Sequence, residues 1–129
     1  MVKLSDTLKG FLGGLIGGAV VDLVYIGLAG PSAFFSFVGI TERCDIFLFH
    51  TVLGGILGIL FVTFLRRLPL LNIWLAGIIW GLICLVVIGG VPAFLTKTIT
   101  LTTTISGFTV WLIFGFILAA TIKFSKPKL

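Results

Sequence analysis

Charged residues are scarce in this chain of 129 residues. They make up 10% of it, while apolar residues make up 59%, and the mean hydropathy is +1.32. A soluble domain of this length has too little interior to bury that much apolar surface. The composition therefore excludes an ordinary soluble domain and predicts an integral membrane protein with lipid as the solvent for much of its surface.

Residues that commonly carry chemistry are also few. The chain has four acidic residues, one histidine and two cysteines, Cys44 and Cys84. It has no Cys-x-x-Cys pair, no Cys/His metal spacing and none of the common hydrolase, nucleotide-binding or metalloprotease motifs. We expect no catalysis by this chain alone, and we predict no metal and no cofactor.

Four apolar runs are each long enough to cross about 30 Å of hydrocarbon as a helix. The sequence thus predicts an all-α membrane protein, a single transmembrane bundle over residues 1–129. The expected helices cover residues 11–30, 46–65, 70–95 and 105–122. Residues 31–45 are expected to form an interfacial segment, and residues 96–104, with six threonines, an outer loop.

The first apolar run could also be a cleaved signal peptide. Lys3 and Lys9 precede it, and Leu28-Ala29-Gly30 is similar to a cleavage site. Asp22 interrupts the run, however, and its length exceeds that of most signal-peptide cores. These features favour a retained helix.

Basic residues predict the orientation. Seven of them flank one side of the predicted spans and two, Arg43 and Lys97, flank the other. The positive-inside rule then places both termini in the cytoplasm and the protein in the cell or cytoplasmic membrane. This imbalance argues against insertion in both orientations. The same positions, beside headgroups rather than among aromatic residues, argue against a nucleic-acid partner. The seven are Lys3, Lys9, Arg66, Arg67, Lys123, Lys126 and Lys128.

Glycines recur at spacing four in three of the predicted helices. Small residues at this spacing let helix backbones approach closely in lipid, where apolar side chains alone give little driving force. We predict glycine-mediated packing within the bundle, with docking of another membrane subunit or a second copy as the alternative. The residues are Gly14 and Gly18, Gly54 and Gly58, and Gly77 and Gly81.

Two polar residues continue these glycine tracks. Steps of three or four residues place Asp22 on the face of Gly14 and Gly18, and His50 on the face of Gly54. Both lie in the outer half of the membrane if the predicted orientation holds. A carboxylate in hydrocarbon usually faces the bundle interior. We therefore predict contact of His50 with either Asp22 or Tyr25.

Other polar groups at similar depth could join them in an intramembrane polar layer. Four interpretations remain open: a hydrogen-bonded pair that fixes helix register, a proton- or cation-linked site, a cofactor or metal site with His50 as ligand, and contact with another subunit. The candidate residues are Asp22, Tyr25, His50, Thr51, Cys84 and Thr109.

The layout resembles that of small four-helix membrane proteins of the YagU and YqhR type. The shared features are paired glycines in the first helix, a histidine and two glycines at spacing four in the second, and a tryptophan with two glycines in the third. They correspond to Gly13-Gly14, Gly17-Gly18, His50, Gly54, Gly58, Trp74, Gly77, Gly81, Pro92 and Phe114-Gly115. The resemblance implies a membrane-embedded fold and no particular activity.

Short loops, several glycine tracks and scarce chemistry favour a non-catalytic accessory or structural subunit, either of a larger membrane complex or of a homo-oligomer. A small proton- or ion-coupled transporter or channel using Asp22 and His50 is the alternative. A lipid- or cofactor-binding scaffold is a third possibility. In each case we expect contact with the lipid bilayer.

Overall fold

A computed structural model describes residues 4–29, 39, 42–67, 72–97 and 99–125. All regular elements in these ranges are helical. They are α1 (Leu4–Ala29), α2 (Arg43–Arg67), α3 (Ile73–Cys84), a π-helical segment (Leu85–Gly90), α4 (Val91–Thr96) and α5 (Leu101–Ser125).

Four helical stretches are long and apolar enough to cross a membrane, which confirms the all-helical, four-span prediction. They are Asp6–Tyr25, Arg43–Arg67, Ile73–Leu95 and Leu101–Phe124.

The helices extend beyond the predicted apolar runs. Helix α1 begins at Leu4 rather than at residue 11, and α2 begins at Arg43 rather than at residue 46. Polar residues continue a helix outside hydrocarbon, and Asp45 in the first turn of α2 complements the helix dipole. Residues 43–45 of the predicted interfacial segment are therefore helical, Gly39 occupies a turn with φ 81°, and residues 30–38, 40 and 41 lie outside the described ranges.

The threonine-rich segment differs from the predicted loop over residues 96–104. Thr96 ends α4, and Lys97, with φ 55°, forms its left-handed cap. Helix α5 already begins at Leu101. Thr100 and Thr103 explain the early start, because each backbone N–H is bonded by the other's hydroxyl oxygen, at 2.9 and 3.1 Å. This reciprocal cap stabilises the first turn.

The third span is interrupted. Asn72 caps the start of α3 by accepting hydrogen bonds from the N–H groups of Trp74 and Leu75. The π-helical segment then precedes Pro92, which lies in the first turn of α4. Proline lacks an N–H group and its ring crowds the carbonyl four residues earlier, so a widened turn accommodates it.

Glycines occupy the crossing of α1 and α2. A methyl group added at Gly14 would overlap the Gly54 carbonyl oxygen, and one added at Gly18 would overlap that of His50. Gly10 meets Gly58 in the same way. Residue numbers rise on one helix as they fall on the other, so α1 and α2 are antiparallel.

A second glycine face of α1 lies against α5. Gly13 faces the Thr121 side chain, and Gly17 faces the ring of Phe114. Helix α1 therefore contacts α2 on one side and α5 on the other, which makes it central to the arrangement.

Helix α3 approaches α5 through a further glycine pair. Added methyl groups at Gly77 and Gly115 would each meet the other residue's carbonyl oxygen, and Gly81 lies against the Trp111 carbonyl. The predicted packing glycines of the third helix thus face α5.

Helices α2 and α3 are joined by aromatic side chains instead. The Trp80 ring lies 6.1 Å from that of Phe61 and 5.3 Å from that of Phe64, measured between centroids. A shared apolar core lies among the four spans, with Phe61, Phe114 and Leu118 fully buried.

Candidate functional site

Asp22 and Asp6 are both buried acidic residues of α1, and Asp22 is the one that the sequence singled out. The Asp22 side chain is 0% exposed. It lies one helical turn beyond Gly18, the residue that brings the α1 backbone against the His50 carbonyl. The glycine crossing therefore places the Asp22 carboxylate directly beside α2.

His50 contacts this carboxylate. Its Nδ1 lies 2.8 Å from Asp22 Oδ1, and its side chain is 6% exposed. With Asp22 ionised, Nδ1–H is the donor and the carboxylate oxygen accepts. Of the two alternatives for His50, the structure thus places Asp22 rather than Tyr25 in hydrogen-bond contact.

Arg43, the first residue of α2, is the third side chain at this site. Its Nη2 lies 2.8 Å from Asp22 Oδ2, and its side chain is 47% exposed. Within the described ranges, Oδ2 accepts no well-directed hydrogen bond. The Arg43 contact is therefore an ion pair held by charge, and its cationic partner is the exposed one.

These three side chains, Arg43, Asp22 and His50, are called the charge cluster below. With His50 neutral, the carboxylate and the guanidinium cancel. Removing charges from water costs several kcal/mol per ion in real proteins, so a neutral sum matters most for the fully buried Asp22.

Acidic residues surround the charge cluster. Glu42 and Asp45 lie on either side of Arg43 in sequence and are exposed. Three of the chain's four acidic residues thus belong to this end of α1 and α2. The surroundings attract cations and disfavour anions.

The other predicted polar residues do not join the cluster. Thr51 donates its hydroxyl to the Phe47 carbonyl at 2.9 Å, and exposed Thr109 donates to the Ile105 carbonyl at 2.8 Å. A hydroxyl bonded within its own helix needs no partner on another one. Tyr25 and Cys84 are buried in the shared apolar core.

Arg43 was not among the predicted site residues, because it lies outside the apolar run and its charge suggested only a flanking position. A signal was present in the sequence. Arg43 precedes His50 by seven residues, two helical turns, which places both on one face of α2. Had the second helix been predicted to begin at Arg43, three residues earlier, this shared face would have been apparent.

The described residues include no group of three His, Cys, Asp or Glu side chains that could hold a metal ion. The side chains of the charge cluster can take part in ion pairing, hydrogen bonding and proton transfer. A carboxylate hydrogen-bonded to an imidazole can accept a proton, and an arginine beside it can act as counter-ion.

Four helices long and apolar enough to cross a membrane, with a charge cluster between the first two, indicate a small helical integral membrane protein. Comparisons with protein families, with curated proteins and with solved structures find no match for this chain.

Proposed function

We propose that the protein is a non-catalytic accessory or structural subunit of a larger membrane complex or of a homo-oligomer. Both termini lie in the cytoplasm, and the glycine tracks hold the four spans together. The resemblance to the YagU and YqhR type is compatible with this role.

The observation that carries the proposal is the sparse packing of the third span. Its share of buried residues is 17%, compared with 50% in the fourth span. Four large apolar side chains, three or four residues apart, form an exposed stripe along it, called the α3 stripe. They are Leu75, Ile78, Leu82 and Val86.

A span with few buried residues is well suited to receive a further helix on its open side. Association in lipid depends on close side-chain packing rather than on removal of apolar surface from water. Exposed apolar rows with this spacing also lie on α1 and α2, but those two spans are each 39% buried, so the lower share of the third span is what sets it apart. The glycine face of α3 is already used by α5.

Site-specific photo-cross-linking in native membranes tests this role. A photoreactive residue at Leu82 or Val86 should give one discrete adduct, of this chain with itself or with one other protein. The control is Leu12, an exposed residue of α1, which should give none. A monomeric mass in mild detergent, with no adduct from any stripe position, would refute the proposal.

The second candidate function is a small proton- or ion-coupled transporter or channel. It is favoured by the hydrogen bond between fully buried Asp22 and His50, since intramembrane ionisable residues often mark ion or proton pathways. Liposomes containing the wild type should show a proton- or ion-linked flux that Asp22→Asn abolishes. The matched control, Asp45→Asn, changes an exposed carboxylate and should retain the flux. Absence of flux in the wild type would exclude this candidate.

A further inference from the structure

The strongest feature outside the proposed subunit role is the asymmetry of the charge cluster. Asp22 and His50 are shielded from solvent, whereas nearly half of the Arg43 side chain is exposed. Arg43 is also the first residue of α2, at the very end of the helix. One member of the cluster can therefore reach water without moving a helix.

We infer that Asp22 and His50 form a proton-binding pair whose displaceable counter-ion is Arg43, so that proton uptake releases Arg43 to solvent. This deepens the second candidate function and rests on its site, Asp22 with His50. It does not require net transport, because proton binding and release at one end of the bundle suffice.

The charge balance dictates the coupling. Before proton uptake, the Asp22–His50 pair carries −1 and Arg43 carries +1. One proton from the adjoining solution, added to the His50 imidazole, makes the pair neutral and leaves +1 in the cluster. Departure of the guanidinium restores neutrality within the buried space, because an unpaired charge in low dielectric is costly.

The surroundings provide an alternative position for Arg43. Glu42, the exposed residue directly before α2, can accept the guanidinium once Asp22 no longer attracts it. Asp45 is also exposed but lies on another face of the helix, since residues two apart do not face each other. Both carboxylates also raise the local concentration of protons and other cations.

The titratable groups outside the charge cluster occupy other positions in the structure. Tyr25 and Cys84 lie in the apolar core, and Lys97 caps α4. Among the described residues of α5, the charged side chain is Lys123, near that helix's opposite end. No second carboxylate of the described α1 residues lies near Asp22, since Asp6 is more than four turns away.

Side-chain NMR of arginine in the full-length protein in lipid nanodiscs tests the switch. The chain has three arginines, Arg43, Arg66 and Arg67, and Arg43→Lys assigns the Arg43 signal by its disappearance. Exchange of the Arg43 Nη–H groups, one of which contacts Asp22, is compared with that of exposed Arg67, which corrects for the intrinsic dependence of exchange on pH.

We expect Arg43 to be protected at high pH and to lose this protection on acidification, as the His50 imidazole takes up a proton. His50→Gln, which keeps a hydrogen-bond donor but has no imidazole to protonate, should retain protection over the same pH range. Asp22→Asn should abolish protection at every pH.

Protection of Arg43 that persists through acidification, or a transition that survives in His50→Gln, would overturn the inference. The liposome flux is measured on the same preparations. A pH-dependent Arg43 signal without flux would exclude transport and support the switch. Flux without that signal would support transport and exclude the switch.

Discussion

Gly18 lies against the carbonyl oxygen of His50 where α1 crosses α2, with no room for even a methyl group between them. One helical turn further along α1, the Asp22 carboxylate meets the His50 imidazole at 2.8 Å. The close backbone approach and the polar contact belong to one crossing. The glycine determines the distance at which the carboxylate and imidazole can bond.

Replacing Gly18 should weaken this crossing. In Gly18→Val the new side chain meets backbone atoms of α2, which cannot rotate away, so we expect a loss of about 1–3 kcal/mol. Thermal unfolding in mild detergent measures it. Gly27→Val is the control in the same helix, because a Cβ there meets nothing within 4 Å. Equal destabilisation by both variants would contradict the account.

The charge cluster predicts an unequal cost for removing its two charges. Asp22→Asn leaves Arg43, which can turn to water, so we expect a loss of about 1–2 kcal/mol. Arg43→Gln leaves a buried carboxylate with His50 alone, and we expect about 3 kcal/mol or more.

A double-mutant cycle on unfolding free energies measures the coupling between them. The variant Asp22→Asn with Arg43→Gln should be more stable than Arg43→Gln alone. Additive losses would show that the ion pair contributes nothing in the membrane.

The cap of α5 predicts a local effect. Thr100→Val removes the hydroxyl oxygen that accepts the Thr103 N–H, and loss of such a cap costs about 1 kcal/mol. Hydrogen exchange should accelerate in the first turn of α5 and remain unchanged at Phe114. Thr102→Val, an exposed position in the same turn, is the control. Unchanged exchange in Thr100→Val would show that the early start of α5 has another cause.

The sequence predicted the features that follow from apolar length and missed those that depend on local hydrogen bonds. The four spans followed from the apolar runs alone. The start of α5 did not, because alternating threonines suit an extended loop as well as a capped helix, and only the bonds between Thr100 and Thr103 distinguish them.

Only part of the candidate site could be predicted from the sequence in the same way. Glycine spacing and depth were sufficient to predict contact of His50 with either Asp22 or Tyr25, since these residues extend packing faces. Arg43 was missed because a charge outside an apolar run gives no indication that its long side chain reaches back toward the bundle. The widened turn before Pro92 depends on how the carbonyls rearrange, which spacing does not reveal.

Cys44 reports the orientation predicted from the basic residues. It is exposed next to Arg43, whereas Cys84 is buried. A membrane-impermeant maleimide added to intact cells should label the wild type, and Cys44→Ser should remain unlabelled. Labelling only after the membrane is permeabilised would reverse the proposed orientation.

Contact between Asp22 and His50 within a bilayer is the central claim, since it is the expected result of the glycine crossing and the proton switch depends on it. Dipolar-recoupling solid-state NMR tests it directly, because His50 is the chain's one histidine and a ¹⁵N-histidine label is therefore unique. The account predicts dephasing of one aspartate carboxyl signal by the His50 nitrogen, lost in Asp22→Asn and kept in Asp45→Asn. Absence of dephasing at every carboxyl, in protein shown to be folded, would contradict it.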